Sequence, residues 1–135
     1  MKRSVQILFL VSLTLLSCGS DGSEMEEFVA AEEIAMKEFS GNFVADTHPT
    51  SGTVVVNMEQ TELLLENFKT DDGPRLLLYL STSVESTDFV NLGDLQGVEG
   101  DFTYEIPEDT DLEEYKFVVV WCVDFLVSFG HAELK

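Results

Sequence analysis

The sequence predicts an all-β domain, an antiparallel β-sandwich of seven or eight short strands. Three observations support this. From Phe39 onward, short apolar stretches are separated by turn residues, which is typical of sandwiches and barrels. Residues 101–106 alternate strictly between polar and apolar, as in a strand buried on one face. Residues 117–123 are apolar on both faces, which predicts a central strand covered on both sides.

Apolar runs and turn signals predict the individual strands. Two apolar-rich runs, 53–58 and 62–68, predict strands. The turn signal at 71–74, Asp-Asp-Gly-Pro, leads into a further strand at 75–80. The alternation in 101–106 places three side chains in the core, those of Phe102, Tyr104 and Ile106.

The C-terminal part of the chain contains an acidic connection and a change of phase. Residues 107–115 form the acidic connection, and 111–115 are compatible with a helical turn. Beyond it, Phe125, Val127 and Phe129 keep one alternation phase, whereas Ala132 and Leu134 keep the other. A β-bulge near the intervening glycine, Gly130, would account for the switch. The domain at 39–135 is long enough for a single core.

The N-terminus has the layout of an export signal. Lys2 and Arg3 precede an apolar run at 5–16, which is too short for a spanning helix of about 20 residues. Residues 15–18, Leu-Leu-Ser-Cys, resemble the lipobox of bacterial lipoproteins. The resemblance implies a signal peptide at 1–17 and lipidation at Cys18, hence an exported, membrane-anchored protein on the periplasmic face or at the cell surface. The alternative is an ordinary secretory signal in which Cys18 occurs by chance.

Residues 18–38 connect the predicted anchor to the domain and are strongly acidic. Their composition predicts a solvated tether that is flexible near Cys18, where glycine and serine are frequent. Apolar residues recur there at spacings of three and four, so an amphipathic helix over part of the tether remains an alternative.

The charge and the cysteine count exclude several classes of function. Loss of residues 1–17 would remove two of the seven basic residues and no acidic ones, changing the net charge from −19 to −21. Such a surface repels phosphates, so no nucleic-acid partner is expected. With Cys18 lipidated, only Cys122 remains. This excludes an intramolecular disulfide and a paired-cysteine zinc site.

No complete catalytic constellation is present, so the sequence favours a protein that is not an enzyme. The neutral side chains that could join Cys122 as metal ligands are His48, His131 and Met58, and none has a diagnostic spacing to it. Three carboxylates could contribute to a calcium site, those of Asp71, Asp72 and Asp101. A solvated acidic face is the simpler interpretation of these carboxylates.

The order and spacing of several short segments together resemble the DM-thirteen (electron transfer DM-thirteen) domain family across 39–135. These segments are 41–43, 48–52, 65–68, 72–74, 79–81, 89–93, 104–107, 120–122 and 129–130. The resemblance implies a β-rich extracytoplasmic module with a proposed part in electron transfer. It nominates Cys122 as a redox thiol or as a ligand to a cofactor such as haem or another metal centre. The DOMON or cytochrome segment that accompanies this family elsewhere is not found beside the domain.

Two interpretations of Cys122 therefore stay open. In the first, it is the redox or cofactor-binding residue of an electron-transfer module that meets a redox partner. In the second, it is only a buried packing residue of a non-enzymatic envelope module that binds a protein, glycan or ion, since free cysteine is often buried as a small hydrophobe. Because apolar surroundings make a thiol inert, they favour the second. The sequence predicts neither the cofactor nor the oligomeric state.

Overall fold

The computed structural model describes residues 38–135. The signal peptide, lipidation at Cys18 and the helix in the tether lie outside these residues, and they stay predictions. Within 38–135 there is no helix that could cross a membrane. Eight strands follow one another: β1 Ser40–Ala45, β2 Thr50–Val56, β3 Glu62–Thr70, β4 Leu76–Ser81, β5 Phe89–Asp94, β6 Glu99–Glu105, β7 Phe117–Cys122 and β8 Val127–Glu133.

All strand pairs are antiparallel, and the strands form one sheet in the order β5-β4-β7-β8-β1-β2-β3-β6. Strand β1 joins the two halves of this sheet. Its first residues pair with β2, and its last residues pair with β8. The inner faces of both halves contribute to a single apolar core. The predicted all-β antiparallel fold is confirmed, and it has eight strands. The two layers of the predicted sandwich are the two halves of one nearly closed sheet.

The predicted strands are present with small shifts at their ends. In β6, Tyr104 is buried and Phe102 packs partly buried against the core, while Ile106, just beyond the strand, is also buried, which confirms the predicted inward face. The connection at 111–115 forms one hydrogen-bonded turn, in which Tyr115 N–H donates to the carbonyl of Asp111. The Asp111 carboxylate accepts the Glu113 N–H and thereby caps this turn.

The bulge predicted near Gly130 is also confirmed. Val120 pairs with Gly130, but the next residue of β7, Trp121, pairs with Ser128, so Phe129 is the extra residue. Phe129 points into the core and is 1% exposed. A Cβ on Gly130 would lie 2.3 Å from the Thr50 Cβ, so only glycine fits beside the first residue of β2.

One prediction for the C-terminal hairpin needs correction. Phe125 does not continue the alternation phase of Val127, because it lies in the turn between β7 and β8 and is 62% exposed. Strand β7 is internal, between β4 and β8, as predicted for a central strand. Val119 on its outer face and Val120 on its inner face are both completely buried, whereas Trp121 stays partly exposed.

Candidate functional site around Cys122

Cys122 is the last residue of β7, and its side chain is completely buried. It pairs with Leu76 of β4 on one side and with Val127 of β8 on the other. It belongs to the same core cluster as Val118 and Val120, as their spacing along the strand predicts. The sulfur is a free thiol that lies among hydrocarbon side chains, which is how a small hydrophobe packs.

The strand end at Cys122 adjoins an exposed turn. Leu126, whose φ of 57° places it in the left-handed region, donates its N–H to the carbonyl of Cys122 over 2.9 Å. Val123 N–H donates to the carbonyl of Arg75, which holds the start of the turn against the residue that precedes β4. The side chains of Phe125 and Leu126 are largely exposed. The thiol is therefore buried, although the exposed turn follows it directly in the chain.

The three neutral side chains considered as co-ligands lie apart from one another. Met58 is in the turn after β2 and is 57% exposed. His131 pairs with Val119 on the sheet face opposite Cys122. His48 lies in the loop before β2, where its ring stacks on Phe129 at 3.8 Å. Each of these side chains therefore packs in its own turn, strand or loop, and the three do not form a shared set of ligands.

The surroundings of Cys122 do not fit a haem or another metal centre. A thiolate-ligated haem needs an open slot beside the sulfur, but the Cys122 side chain is enclosed by core residues. A tetrahedral metal site needs further nitrogen, sulfur or oxygen ligands. Within residues 38–135, no three histidine, cysteine, aspartate or glutamate side chains are grouped to hold a metal ion.

The carboxylates considered for calcium are engaged in separate local contacts. Asp71 Oδ2 is 3.0 Å from His48 Nδ1. Asp72 accepts the N–H of the following glycine, and Asp101 accepts the N–H of Asn67, which has a φ of 51°. These residues organise a turn and a bulge, so the structure does not assemble the calcium site.

A polar cluster that the sequence did not reveal joins the end of β1 to β8. Asp46 Oδ2 accepts hydrogen bonds from Ser128 Oγ at 2.7 Å and from His131 Nδ1 at 2.8 Å. In a serine nucleophile, the hydroxyl must contact the imidazole that removes its proton. Here both groups contact the carboxylate instead, so the cluster fastens the two elements and offers no activated serine.

An aromatic row on the outer face was also missed. Phe89, Tyr79 and Trp121 come from three adjacent strands, with ring centroids 4.0 Å apart for the first pair and 6.3 Å for the second. Burial raises the pKa of Tyr79, and the nearby positive charge of Arg75 partly offsets this. No local sequence pattern predicts such a row, because the three residues become neighbours only when their strands pair.

Comparison with known proteins identifies the relationship of the chain. A family model described as "Electron transfer DM13" matches residues 42–134. No curated protein matches the chain, and no solved structure matches it. The matched range covers all eight strands except the first two residues of β1. The chain therefore belongs to the Electron transfer DM13 family.

Proposed function

We propose that the protein is a lipid-anchored protein of the cell envelope that takes part in electron transfer by binding a partner that carries the redox centre. Membership in the Electron transfer DM13 family supports the general role. The observation that carries the specific proposal is the complete burial of Cys122 among apolar core residues. A sulfur in such surroundings stabilises the fold, so the contribution to electron transfer comes from the surface of the domain.

Attachment through Cys18 is the first part of the proposal. Several fatty chains hold a protein durably, since each buried methylene contributes roughly 0.8 kcal/mol. The acidic domain would be repelled by anionic headgroups and held away from the bilayer. Fractionation of cells that express the full-length protein tests this part. Cys18→Ala should move the protein from the membrane to the soluble fraction, and Cys122→Ala should not. Membrane retention of Cys18→Ala would contradict the anchor.

Binding to a redox partner is the second part. Chemical cross-linking in native membranes, followed by mass spectrometry, should capture a cofactor-bearing protein with both wild type and Cys122→Ala. Loss of this cross-link in a Cys122→Ala protein that remains folded would contradict the proposal. A captured protein or glycan without any redox centre would instead favour the more general envelope-binding function.

A redox thiol is the second candidate, and the position of Cys122 beside an exposed turn favours it. Local opening of residues 123–126 would expose the sulfur without global unfolding. The Cys122 thiolate could then attack a disulfide of a partner, forming a mixed disulfide while the partner's second sulfur leaves as a thiolate. Acid quenching and non-reducing electrophoresis would detect this adduct in wild type. Its absence from folded protein exposed to oxidised partner would refute this candidate.

A further inference from the structure

The nearly closed sheet has an open seam between its two edge strands. Strands β5 and β6 follow one another in the chain and are joined by residues 95–98, yet they stand at opposite ends of the strand order and do not pair. A groove of about 680 Å³ lies between them. Leu92 and Ile106 contribute apolar surface to this groove, and Asn91, Thr103 and Glu105 contribute polar groups.

The β6 side of the seam presents backbone groups that are ready to pair. Ile106 N–H donates to Thr61 on the β3 side, and orientation alternates along an antiparallel strand. The N–H and carbonyl of Thr103 and Glu105 therefore face the seam. Gln96 Nε2 donates to the Thr103 carbonyl over 2.6 Å. Within residues 38–135, the N–H of Thr103 and both backbone groups of Glu105 have no hydrogen-bond partner.

The charged residues that line the seam are all acidic. Glu62, Glu105 and Glu108 line the groove and are exposed, and no lysine or arginine is among the residues that line it. An exposed edge strand is a template for another strand, and the flanking charges determine which strand can approach. A second copy of this chain, with its net charge of −19, is a poor match.

We propose that the seam binds an extended, lysine- or arginine-rich segment of a partner protein, which adds to the open edge of β6. Main-chain hydrogen bonds to Thr103 and Glu105 supply part of the affinity, and contact of basic side chains with the three glutamates supplies selectivity. The open stretch at 103–106 accommodates about four residues at about 3.3 Å each. The inference deepens the proposed function and rests on it only for the expectation of a protein partner.

Binding of a fluorescent nonapeptide of alternating lysine and valine to the full-length protein tests the proposal. Two control peptides accompany it: glutamate–valine, and a lysine–proline peptide of the same charge that lacks alternate N–H donors. We expect only the lysine–valine peptide to bind. Hydrogen exchange read by NMR should slow at least tenfold at the Thr103 and Glu105 amides on binding, because these amides pair with the added strand.

Three variants separate strand addition from general attraction between charges. Thr103→Pro removes a seam-facing donor without changing charge, and the β3 ladder is unaffected because this N–H points away from it. Glu105→Lys reverses a charge at the seam, and Glu85→Lys makes the same change in an exposed loop elsewhere. The first two should weaken binding at least tenfold, and Glu85→Lys less than twofold. A thermal melting curve shows whether each variant folds. If Thr103→Pro does not fold, the comparison of Glu105→Lys with Glu85→Lys tests the proposal.

Several outcomes would overturn the proposal. These are no binding of the lysine–valine peptide at millimolar concentration, equal weakening by Glu105→Lys and Glu85→Lys, or unchanged exchange of the Thr103 and Glu105 amides in the complex. Self-association through the seam, seen by analytical ultracentrifugation and abolished by Glu105→Lys, would also overturn it in favour of a second copy. None of these results bears on cross-linking to a cofactor-bearing protein, so failure here is distinct from failure of the proposed function.

Discussion

Truncation of the Cys122 side chain gives a quantitative test of its packing role. Cys122→Ala removes one buried heavy atom, and loss of apolar burial costs roughly 0.8 kcal/mol for a group of methylene size. A cavity on the order of 25 Å³ adds about 0.6 kcal/mol at about 24 cal/mol per Å³. We therefore expect the free energy of unfolding to fall by about 1–2 kcal/mol, because the side chain is completely buried in the native state.

Cys122→Ser should cost more than Cys122→Ala. The hydroxyl would lie among core hydrocarbon groups, and an unsatisfied buried polar group costs about 1–3 kcal/mol in addition to the lost apolar burial. The expected total is roughly 2–4 kcal/mol. Urea unfolding followed by circular dichroism measures all three proteins, with Thr87→Ala at an exposed position as the control, expected within about 0.5 kcal/mol of wild type. Equal stability of wild type, Cys122→Ala and Cys122→Ser would refute the packing role.

Three further predictions concern the elements around the site. Gly130→Ala should destabilise the domain by about 2 kcal/mol or more in urea unfolding, because its Cβ would meet the buried Thr50 side chain at 2.3 Å; wild-type stability would contradict the bulge geometry. Asp46→Ala should cost about 1–3 kcal/mol by the same assay, and Asp46→Asn less, since the amide oxygen can still accept one hydrogen bond; equal losses would count against the shared carboxylate. Burial raises the folded-state pKa of Tyr104 above 10.0, and the hydrogen bond from Gln96 N–H partly offsets this increase. The contribution of Tyr104 to stability should therefore be complete below pH 10 and fall as the pH rises above it. A Tyr104→Phe protein with the same decline in stability would contradict this origin.

The sequence predicted those parts of the fold that local alternation specifies. Strict alternation in residues 101–106 placed Tyr104 inward, and the change of phase around Gly130 located the bulge. It did not predict the strand order or that β1 would be divided between two partners, because pairing between distant strands leaves no local pattern. Phe125 was given the alternation phase of Val127 and Phe129, because an apolar residue in an exposed turn carries the same signal as a core residue.

The candidate site likewise has features that the local sequence predicts and features that depend on strand pairing. Apolar neighbours in β7 were sufficient to predict the burial of Cys122. The contact between Asp46 and His131 spans 85 positions and depends on the pairing of β1 with β8, so no spacing rule could reveal it. The seam depends on the absence of pairing between β5 and β6, two consecutive strands that would ordinarily be expected to form a hairpin.

Burial of Cys122 in the core of the native domain is the observation on which the proposed role of the domain surface in electron transfer depends. The most direct test is the rate at which Ellman's reagent labels Cys18→Ala, in which Cys122 is the sole cysteine, across a series of urea concentrations below the unfolding transition. We expect labelling only through global unfolding, with a rate that rises with urea as the unfolded fraction does. Rapid labelling in the absence of urea, at a rate that urea does not change, would contradict it.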